Sequence, residues 1–570
     1  MRKSHDSVFT VGIGGAAGDG IKESGLTLGA ILAELGYESF LSFTYPSLIR
    51  GGHNFTRITF SKDKVYSDHE ALDVLIAMNE ESVVLHRDEM AAGAVVLADA
   101  FEPADLEALK DGAVVIPMAA KVKELNVPAI TRNSMALGAL CYLLELDYGL
   151  MQVVLGDVFK DKLPGVNVKL ADMGYQLMKD KNFRHQKKIR PTIGKKELID
   201  GNTALAKGLQ TAGLDFYVGY PMTPATSILT YLAGQQKNSK LRTIQPESEL
   251  SVINMALGMA YAGKRVAVGS ATGGFALMQE AFSHAGMAEL PLVVAVSQRQ
   301  APATGLPTYS SQTDMRFAIH AGHGEFPRIV VAPGDSEEAF ALGAHALNLA
   351  WKYQVPVIVL LDKIVSEHAV TSLLTPDAIK TDHGLMSTNT GEKYGRYEIT
   401  KDGISPMAFP GTPNTVVKVT SYEHDAHGIT VEEAEPTKAM LAKRFAKTET
   451  IKKEIDRHET VKVYGDKASK DVIVFWGSTK GPLLESLRYV KKPVKLVQIV
   501  WLEPFDTKKV AQELKGATKI IDVECNHDGQ LGALIREKTG IVATDQILRF
   551  DSRPFEPITL AEEINKIIKA

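Results

Sequence analysis

Cysteine is almost missing from this chain: 570 residues hold two, Cys141 and Cys525, each inside an apolar or strand-like segment. That excludes a disulfide framework, a C-x-x-C pair and an iron–sulfur cluster held by four thiolates of this chain, and a reduced, cytoplasmic setting is the simplest reading. Charge of one sign is not in excess either. The 64 basic and 68 acidic side chains leave a net −4, which gives no footprint for nucleic acid or for an anionic membrane. No apolar run approaches the ~20 residues of a membrane span, and the amino terminus lacks the apolar core of a signal peptide. Also absent are G-x-S-x-G, a P-loop lysine and H-E-x-x-H. The expectation is a soluble protein with no complete hydrolytic or redox constellation of its own.

What is present is a long alternation of strand and helix patterns, which implies largely parallel α/β sheets. The length calls for three or four domains. From Val8 the chain reads as a strand, the glycine-rich turn Gly12-Ile13-Gly14-Gly15-Ala16-Ala17-Gly18-Asp19-Gly20, and a helix to Gly36. Gly12, Gly14 and Ala17 fit a loose dinucleotide fingerprint, but the next strand, Ser39 to Thr44, does not end in the acidic residue that would bind a ribose. Tightness of the turn and ligand binding both explain these glycines. Arg50, His53 and Asn54 crowd around Gly51 and Gly52, either as an anion or partner contact or as a bulged turn with solvated polar groups. The basic run Lys179 to Lys196 reads as a linker with a solvated face. A second alternation follows, and between about Thr381 and His458 the rhythm fails in favour of Gly, Pro, Thr and charge. A last α/β pattern begins at Asp471.

The chemistry concentrates at strand ends. Tyr220-Pro221-Met222-Thr223-Pro224 follows the strand Phe216 to Gly219, and Glu247-Ser248-Glu249 opens a helix after the strand around Thr243 and Ile244. The stretch Ser270 to Phe275, read as a turn, carries Thr272, Gly273 and Gly274, and Gln298-Arg299 closes the strand Leu292 to Ser297. In a doubly wound sheet all of these sit at the carboxyl edge, where such folds bind ligands. A hydroxyl, a carboxylate, a glycine surface and a guanidinium there suit a small anionic substrate and an aromatic cofactor, with Arg299 able to hold a carboxylate bidentately. Each residue has a plainer reading: Thr223 as a helix cap, Glu249 as a first-turn acid favoured by the helix dipole, Arg299 as half of a surface ion pair.

Taken together, Gly201 to Leu209, Tyr220 to Pro224, Glu247 to Glu249, Gln298-Arg299 with Thr304-Gly305-Leu306-Pro307-Thr308, and Gly322-His323-Gly324-Glu325-Phe326-Pro327 resemble the α subunit of 2-oxoacid:ferredoxin oxidoreductases. The Gly12 to Gly20 turn with Arg50-Gly51-Gly52 is similar to that family's γ domain, here fused ahead of α. The resemblance implies three doubly wound or three-layer α/β/α domains: a γ-type domain at 1–180, a linker at 181–200, a thiamine-diphosphate pyrimidine-binding domain at 201–380, an insertion with connecting helix at 381–465, and a transketolase C-terminal-like domain at 466–570.

The resemblance also implies oxidative decarboxylation of a 2-oxoacid, 2-oxoglutarate favoured over an aryl-pyruvate, with coenzyme A as co-substrate and ferredoxin as electron acceptor. Thiamine diphosphate is shared with a β subunit that brings Mg2+ and a [4Fe-4S] cluster, and an (αβ)2 assembly is expected. Carried over residue by residue, Glu249 is the catalytic acid at the cofactor aminopyrimidine; Glu247, two residues earlier, falls off that helix face by register and is expected to be structural. Thr223 and Arg299 contact substrate, and Tyr220, Pro221, Thr272, Gly273 and Gly274 bind the cofactor. Gly14, Gly15, Arg50, His53 and Asn54 are a coenzyme A or partner contact. No metal site is assigned to this chain, because no Asn follows Gly18-Asp19-Gly20 at the spacing a thiamine-diphosphate metal motif needs. The rival reading, resting on the Gly12 to Gly20 turn alone, is a nucleotide-binding scaffold.

Overall fold

A computed structural model describes residues 8–47, 52–100, 112–190, 192–388 and 394–569. The chain divides into two compact units, Met1–Ile199 with His368–Leu373, and Asp200–Glu367 with Leu374–Ala570. The three sheets are the α/β sheets expected from the alternation.

The first unit is built on an eight-stranded sheet in the order Ala113–Val115, Met90–Ala98, Leu72–Ala77, Phe9–Ala16, His53–Ser61, Glu38–Thr44, Ala369–Ser372 and Glu197–Asp200. Phe9–Ala16 runs parallel to Leu72–Ala77 but antiparallel to His53–Ser61, which separates it from Glu38–Thr44. Gly12, Gly14 and Gly15, expected in a turn, lie inside Phe9–Ala16, and this strand opens a split unit in which the two strands flanking the helix Ile21–Glu34 are not neighbours. The basic run after Lys179 is partly tied down, since Lys187 Nζ lies 2.9 Å and 3.0 Å from the two carboxylate oxygens of Asp73, and Lys196 Nζ lies 2.6 Å from Glu38.

The second unit holds a seven-stranded sheet ordered Trp501–Glu503, Ile329–Val331, Pro356–Asp362, Leu292–Gln298, Val266–Ala271, Phe216–Gly219 and Arg242–Ile244. Its central strands are mostly Val, Ala, Ile and Leu and are buried at every position. That is the pattern of a parallel sheet covered by helices on both sides, and each fully buried Val or Leu contributes about 1.5–3 kcal/mol. Trp501–Glu503, which lies within the last α/β pattern of the sequence, pairs antiparallel with Ile329–Val331 at this sheet's edge. A five-stranded sheet, Val461–Gly465, Lys495–Ile499, Asp471–Phe475, Lys519–Glu524 and Asp545–Leu548, completes this unit.

Residues 394–458 carry little regular structure before the helix Ala434–Glu454, yet they are firmly attached. Glu289, just past the helix Gln279–Met287, is buried with Lys443 Nζ 2.7 Å and Lys447 Nζ 2.5 Å from its carboxylate. Arg396 donates to the Glu289 carbonyl (2.7 Å) and to Gln354 Oε1 (3.1 Å), and Lys447 donates to the Gln354 carbonyl (3.0 Å). Cations thus meet the carbonyl-rich ends of two helices, where the helix dipole favours them. The cations around Glu289 hold its carboxyl below the usual range, whereas burial, with Lys443 beside it, brings the Lys447 ammonium down to about 7.

Glu289→Gln leaves two ammonium groups buried around a neutral amide and is expected to cost about 3–5 kcal/mol in urea unfolding. The Lys447 value is depressed on folding, so the unfolded chain binds that proton more readily between about 7 and its ordinary 10.5. Stability therefore rises with pH across that window. Lys447→Met should flatten the rise, as read by the unfolding midpoint from pH 7 to about 9.

Candidate active site

Four neighbouring parallel strands deliver the site residues to one edge. Arg242–Ile244 leads to Glu249, Phe216–Gly219 to Thr223, Val266–Ala271 to Thr272, and Leu292–Gln298 to Arg299.

The turn after Gly219 is held from below by Asn202, on the first turn of the helix Gly201–Thr211 and fully buried. Its Nδ2 donates to the Pro224 carbonyl at 2.7 Å and to Ser227 Oγ at 2.8 Å. Arg299 Nη1 donates to the Thr223 carbonyl at 2.8 Å, which brings together the two residues assigned to substrate. Burial lowers the Arg299 pKa, but a guanidinium keeps its charge at any physiological pH. Tyr220 and Pro221 are exposed beside them.

Glu249 is the first residue of the helix Glu249–Tyr261, with Ser248 as its cap, and is only 3% exposed. Glu247 lies outside the helix with its carboxylate on Ser251 Oγ, exposed to solvent. The described partner of Glu249 is Ser270 Oγ, which donates to Oε1 at a long 3.4 Å. A carboxylate has four acceptor positions, so this buried group is left with capacity for a donor on a bound molecule. Ser270 to Phe275 is not a turn: the strand runs to Ala271 and a helix begins at Thr272. This straight strand-to-helix passage puts Gly274 against the carboxylate, where an added Cβ would lie 2.4 Å from Glu249 Oε1 and 2.1 Å from Ser270 Oγ. Gly273 is exposed next to it. Thr272 Oγ1 donates to Asp314 Oδ2 at 2.7 Å, and Asp314 N donates to Gln298 Oε1 at 3.0 Å. Burial raises the Asp314 pKa. Asn202, Ser270 and Asp314 were not anticipated from the sequence; each works through a partner 21 to 42 positions away.

In the first unit, Gly14 and Gly15 lie within the strand Phe9–Ala16 and answer to packing. A Cβ on Gly14 would meet Ser82 Oγ at 2.7 Å and His53 Cε1 at 3.1 Å, and one on Gly15 would meet Ile21 Cδ1 at 2.7 Å. His53 Nε2 lies 2.9 Å from His86 Nε2, and His86 Nδ1 lies 2.9 Å from Glu89 Oε2. Burial and the neighbouring His86 bring the His53 pKa down to about 4, so at neutral pH it offers a ligand no charge. Asn54 pairs with Gly15 in the ladder and its Oδ1 is buried without a partner. Arg50 lies outside the described residues.

Comparison with known proteins spans nearly the whole chain. Residues 207–443 match the family described as pyruvate flavodoxin/ferredoxin oxidoreductase, thiamine diphosphate-binding, and residues 10–177 match pyruvate ferredoxin/flavodoxin oxidoreductase. These matches define the chain as an oxidoreductase of the thiamine diphosphate-binding class. A 2-oxoacid:ferredoxin oxidoreductase subunit alpha of Saccharolobus solfataricus is 34% identical over 98% of this chain and 97% of its own length. The 2-oxoglutarate oxidoreductase subunit KorA of Mycobacterium tuberculosis is 27% identical over 100% and 94%. A 2-oxoglutarate:ferredoxin oxidoreductase from Magnetococcus marinus, solved with 2-oxoglutarate, coenzyme A and succinyl-CoA bound, superposes with a TM-score of 0.90 at 31% identity over 99% of this chain and 100% of that one. The chain belongs to the α subunits of the 2-oxoacid:ferredoxin oxidoreductases.

Gly274→Ala tests the fit around the carboxylate. The added methyl displaces either Glu249 or the start of the helix, and activity of the assembled enzyme should fall at least about tenfold, a ~1.4 kcal/mol effect, while the exposed Gly273→Ala costs less than about threefold.

Proposed function

We propose that this chain supplies the aminopyrimidine half of a thiamine-diphosphate site, that the enzyme oxidatively decarboxylates 2-oxoglutarate with coenzyme A, and that electrons leave to ferredoxin. The observation that carries the reading is the buried, under-satisfied Glu249 carboxylate at the edge where Thr223, Thr272 and Arg299 also end. The donor set fits the cofactor, since Glu249 offers a carboxylate to a ring nitrogen, and Tyr220, Pro221 and the backbone of Thr272 to Gly274 offer a largely uncharged surface to the ring. When bound, thiamine diphosphate supplies the nucleophilic carbon and the electron sink for decarboxylation.

The chain's own residues do the rest. Glu249 holds or moves a proton at the aminopyrimidine nitrogen. Arg299 has spent one N–H on the Thr223 carbonyl, and its remaining N–H groups are suited to the substrate carboxylate. That contact fixes the Thr223 backbone, so the threonine and the guanidinium meet substrate as one unit. The choice of 2-oxoglutarate and of coenzyme A rests on the Magnetococcus marinus enzyme, which binds both, and on the Mycobacterium tuberculosis relative named for 2-oxoglutarate.

The diphosphate, Mg2+ and [4Fe-4S] sites are assigned to a β subunit in an (αβ)2 enzyme. Leu250, Met255 and Leu277 are exposed on the helices that begin at Glu249 and Thr272, an apolar margin suited to that subunit. Among the described residues no helix is long and apolar enough to cross a membrane, and both cysteines are buried free thiols. The cytoplasm is the compartment proposed.

Without a β subunit the purified chain should neither reduce ferredoxin nor retain thiamine diphosphate; robust turnover by the chain alone would refute the division of labour. In the complex, Glu249→Gln should lower kcat about a hundredfold or more while cofactor occupancy stays within about twofold, and unchanged turnover would remove Glu249 from the chemistry. Arg299→Lys, which loses the planar fork, should raise KM for the 2-oxoacid by about tenfold, and a higher kcat/KM for pyruvate than for 2-oxoglutarate would overturn the substrate assignment.

A further inference from the structure

Residues 312–316 run between two sheet edges of the second unit. Gln312 is fully buried. Its Nε2 donates to the Trp476 carbonyl at 2.8 Å, and its Oε1 accepts from Thr479 Oγ1 at 3.0 Å and from the Cys525 N–H at 2.8 Å. Its backbone N–H donates to the Cys525 carbonyl at 2.8 Å, and its own carbonyl accepts from Asn526 Nδ2 at 3.1 Å. Trp476 and Cys525 directly follow Asp471–Phe475 and Lys519–Glu524, two adjacent parallel strands. The carboxyl edge of an open α/β sheet is ordinarily where a ligand sits. In the five-stranded sheet a glutamine of the same chain fills that place between the two central strands, with its side-chain amide bonded at both ends.

Two residues further on, the same segment reaches the other edge. Asp314 Oδ2 accepts the Thr272 hydroxyl at 2.7 Å, while its backbone N–H donates to Gln298 Oε1 at 3.0 Å. Gln530, opening the helix Gln530–Thr539, clamps the segment from the far side, accepting from Arg316 N at 3.1 Å and donating to the Thr313 carbonyl at 2.7 Å. Thr272 begins the helix whose Gly274 lies against Glu249, and Gln298 precedes Arg299. One aspartate therefore touches the cofactor side of the site with its side chain and the substrate side with its backbone.

We propose that Asp314 is a positioning residue for the decarboxylation, setting the Thr272–Gly274 segment against Glu249, and that the C-terminal α/β domain serves the site by holding Asp314 in place through Gln312. The inference rests on the thiamine-diphosphate reading given above. It assigns the C-terminal domain a mechanical task in place of a ligand site. The division within Asp314 also makes a specific forecast: truncating its side chain disturbs the cofactor side and leaves the backbone bond to Gln298, and with it Arg299, in place.

The test is a double-mutant cycle in the α–β complex with Asp314→Ala, Thr272→Val and the pair. Each single variant should lower kcat about tenfold or more and raise the half-saturating thiamine diphosphate concentration, with KM for the 2-oxoacid changed less than about twofold. The pair should be no worse than the worse single variant, because both remove the same bond. Asp314→Asn, which keeps an acceptor oxygen for the threonine, should recover most of the loss. Gln312→Met should reproduce the Asp314→Ala pattern in kcat without adding to it. Additive effects of Asp314→Ala and Thr272→Val, or a lowered melting temperature with kcat unchanged in the folded complex, would reduce Asp314 to a structural residue and overturn the proposal. A wild-type complex that releases no CO2 from any 2-oxoacid would instead refute the functional reading itself.

Discussion

The site depends on the level ending of its parallel strands. Gly219 pairs with Gly269, Ala271 with Ser297, and Gln298 with Asp362, so neighbouring strands finish within about two residues of one another. A hydrogen bond tolerates a few tenths of an ångström, whereas a register slip moves a strand end by about 3.3 Å per residue and turns each side chain to the opposite face. The Arg299–Thr223 bond and the Gly274–Glu249 contact exist only in this register. The runs of Val, Ala and Leu that set it are thus as much a part of the site as the polar residues.

The residues assigned to the candidate site were more legible in the sequence than the residues that hold them. Glu249, Thr223 and Arg299 stand in short motifs at strand ends, and alternation alone places strand ends on one edge. Asn202, Ser270 and Asp314 have no such local signature. A buried Asn on a helix, a Ser near a strand's end and an Asp in a loop acquire their roles only when strands far apart in sequence pair. Alternation likewise says that a segment is a strand without saying which strand it joins. That is why Trp501–Glu503 was read within the last domain though it edges the seven-stranded sheet, and why the insertion of His53–Ser61 between Phe9–Ala16 and Glu38–Thr44 was not legible. The glycines of the first turn carried two readings in the sequence, and at Gly14 and Gly15 the packing of Ser82, His53 and Ile21 accounts for them.

Charge was the least legible property of all. The helix Ala434–Glu454 is rich in Lys and Glu, the pattern of a solvated face, yet Lys443 and Lys447 are buried on one carboxylate. Composition cannot distinguish a lysine paired in the interior from one in water, because the pairing partner, Glu289, is more than 150 residues away. The irregular stretch before that helix is held by the same logic. Arg396 donates to the Glu289 carbonyl past one helix end and to the Gln354 side-chain amide past another, and the bonds it makes replace the regular ladder that a Gly- and Pro-rich segment cannot form.

The second unit thus contains two carboxyl edges of opposite character. On the five-stranded sheet, Gln312 satisfies the strand ends with its own amide, and what an ordinary α/β fold leaves for a ligand is occupied by protein. On the seven-stranded sheet the edge is left incomplete, with Glu249 on one long hydrogen bond, Arg299 with N–H groups to spare, and Gly273, Tyr220 and Pro221 uncovered. A buried polar group that is only partly satisfied costs free energy, and folding gives no reason to retain it at an edge where the same chain shows how completely such a place can be filled. The incomplete edge is what the proposed function calls for: in that reading a bound molecule and a second subunit supply the missing donors and cover the apolar margin. The closed edge makes that possible, because the segment anchored there reaches across to hold the open one in shape before anything has bound.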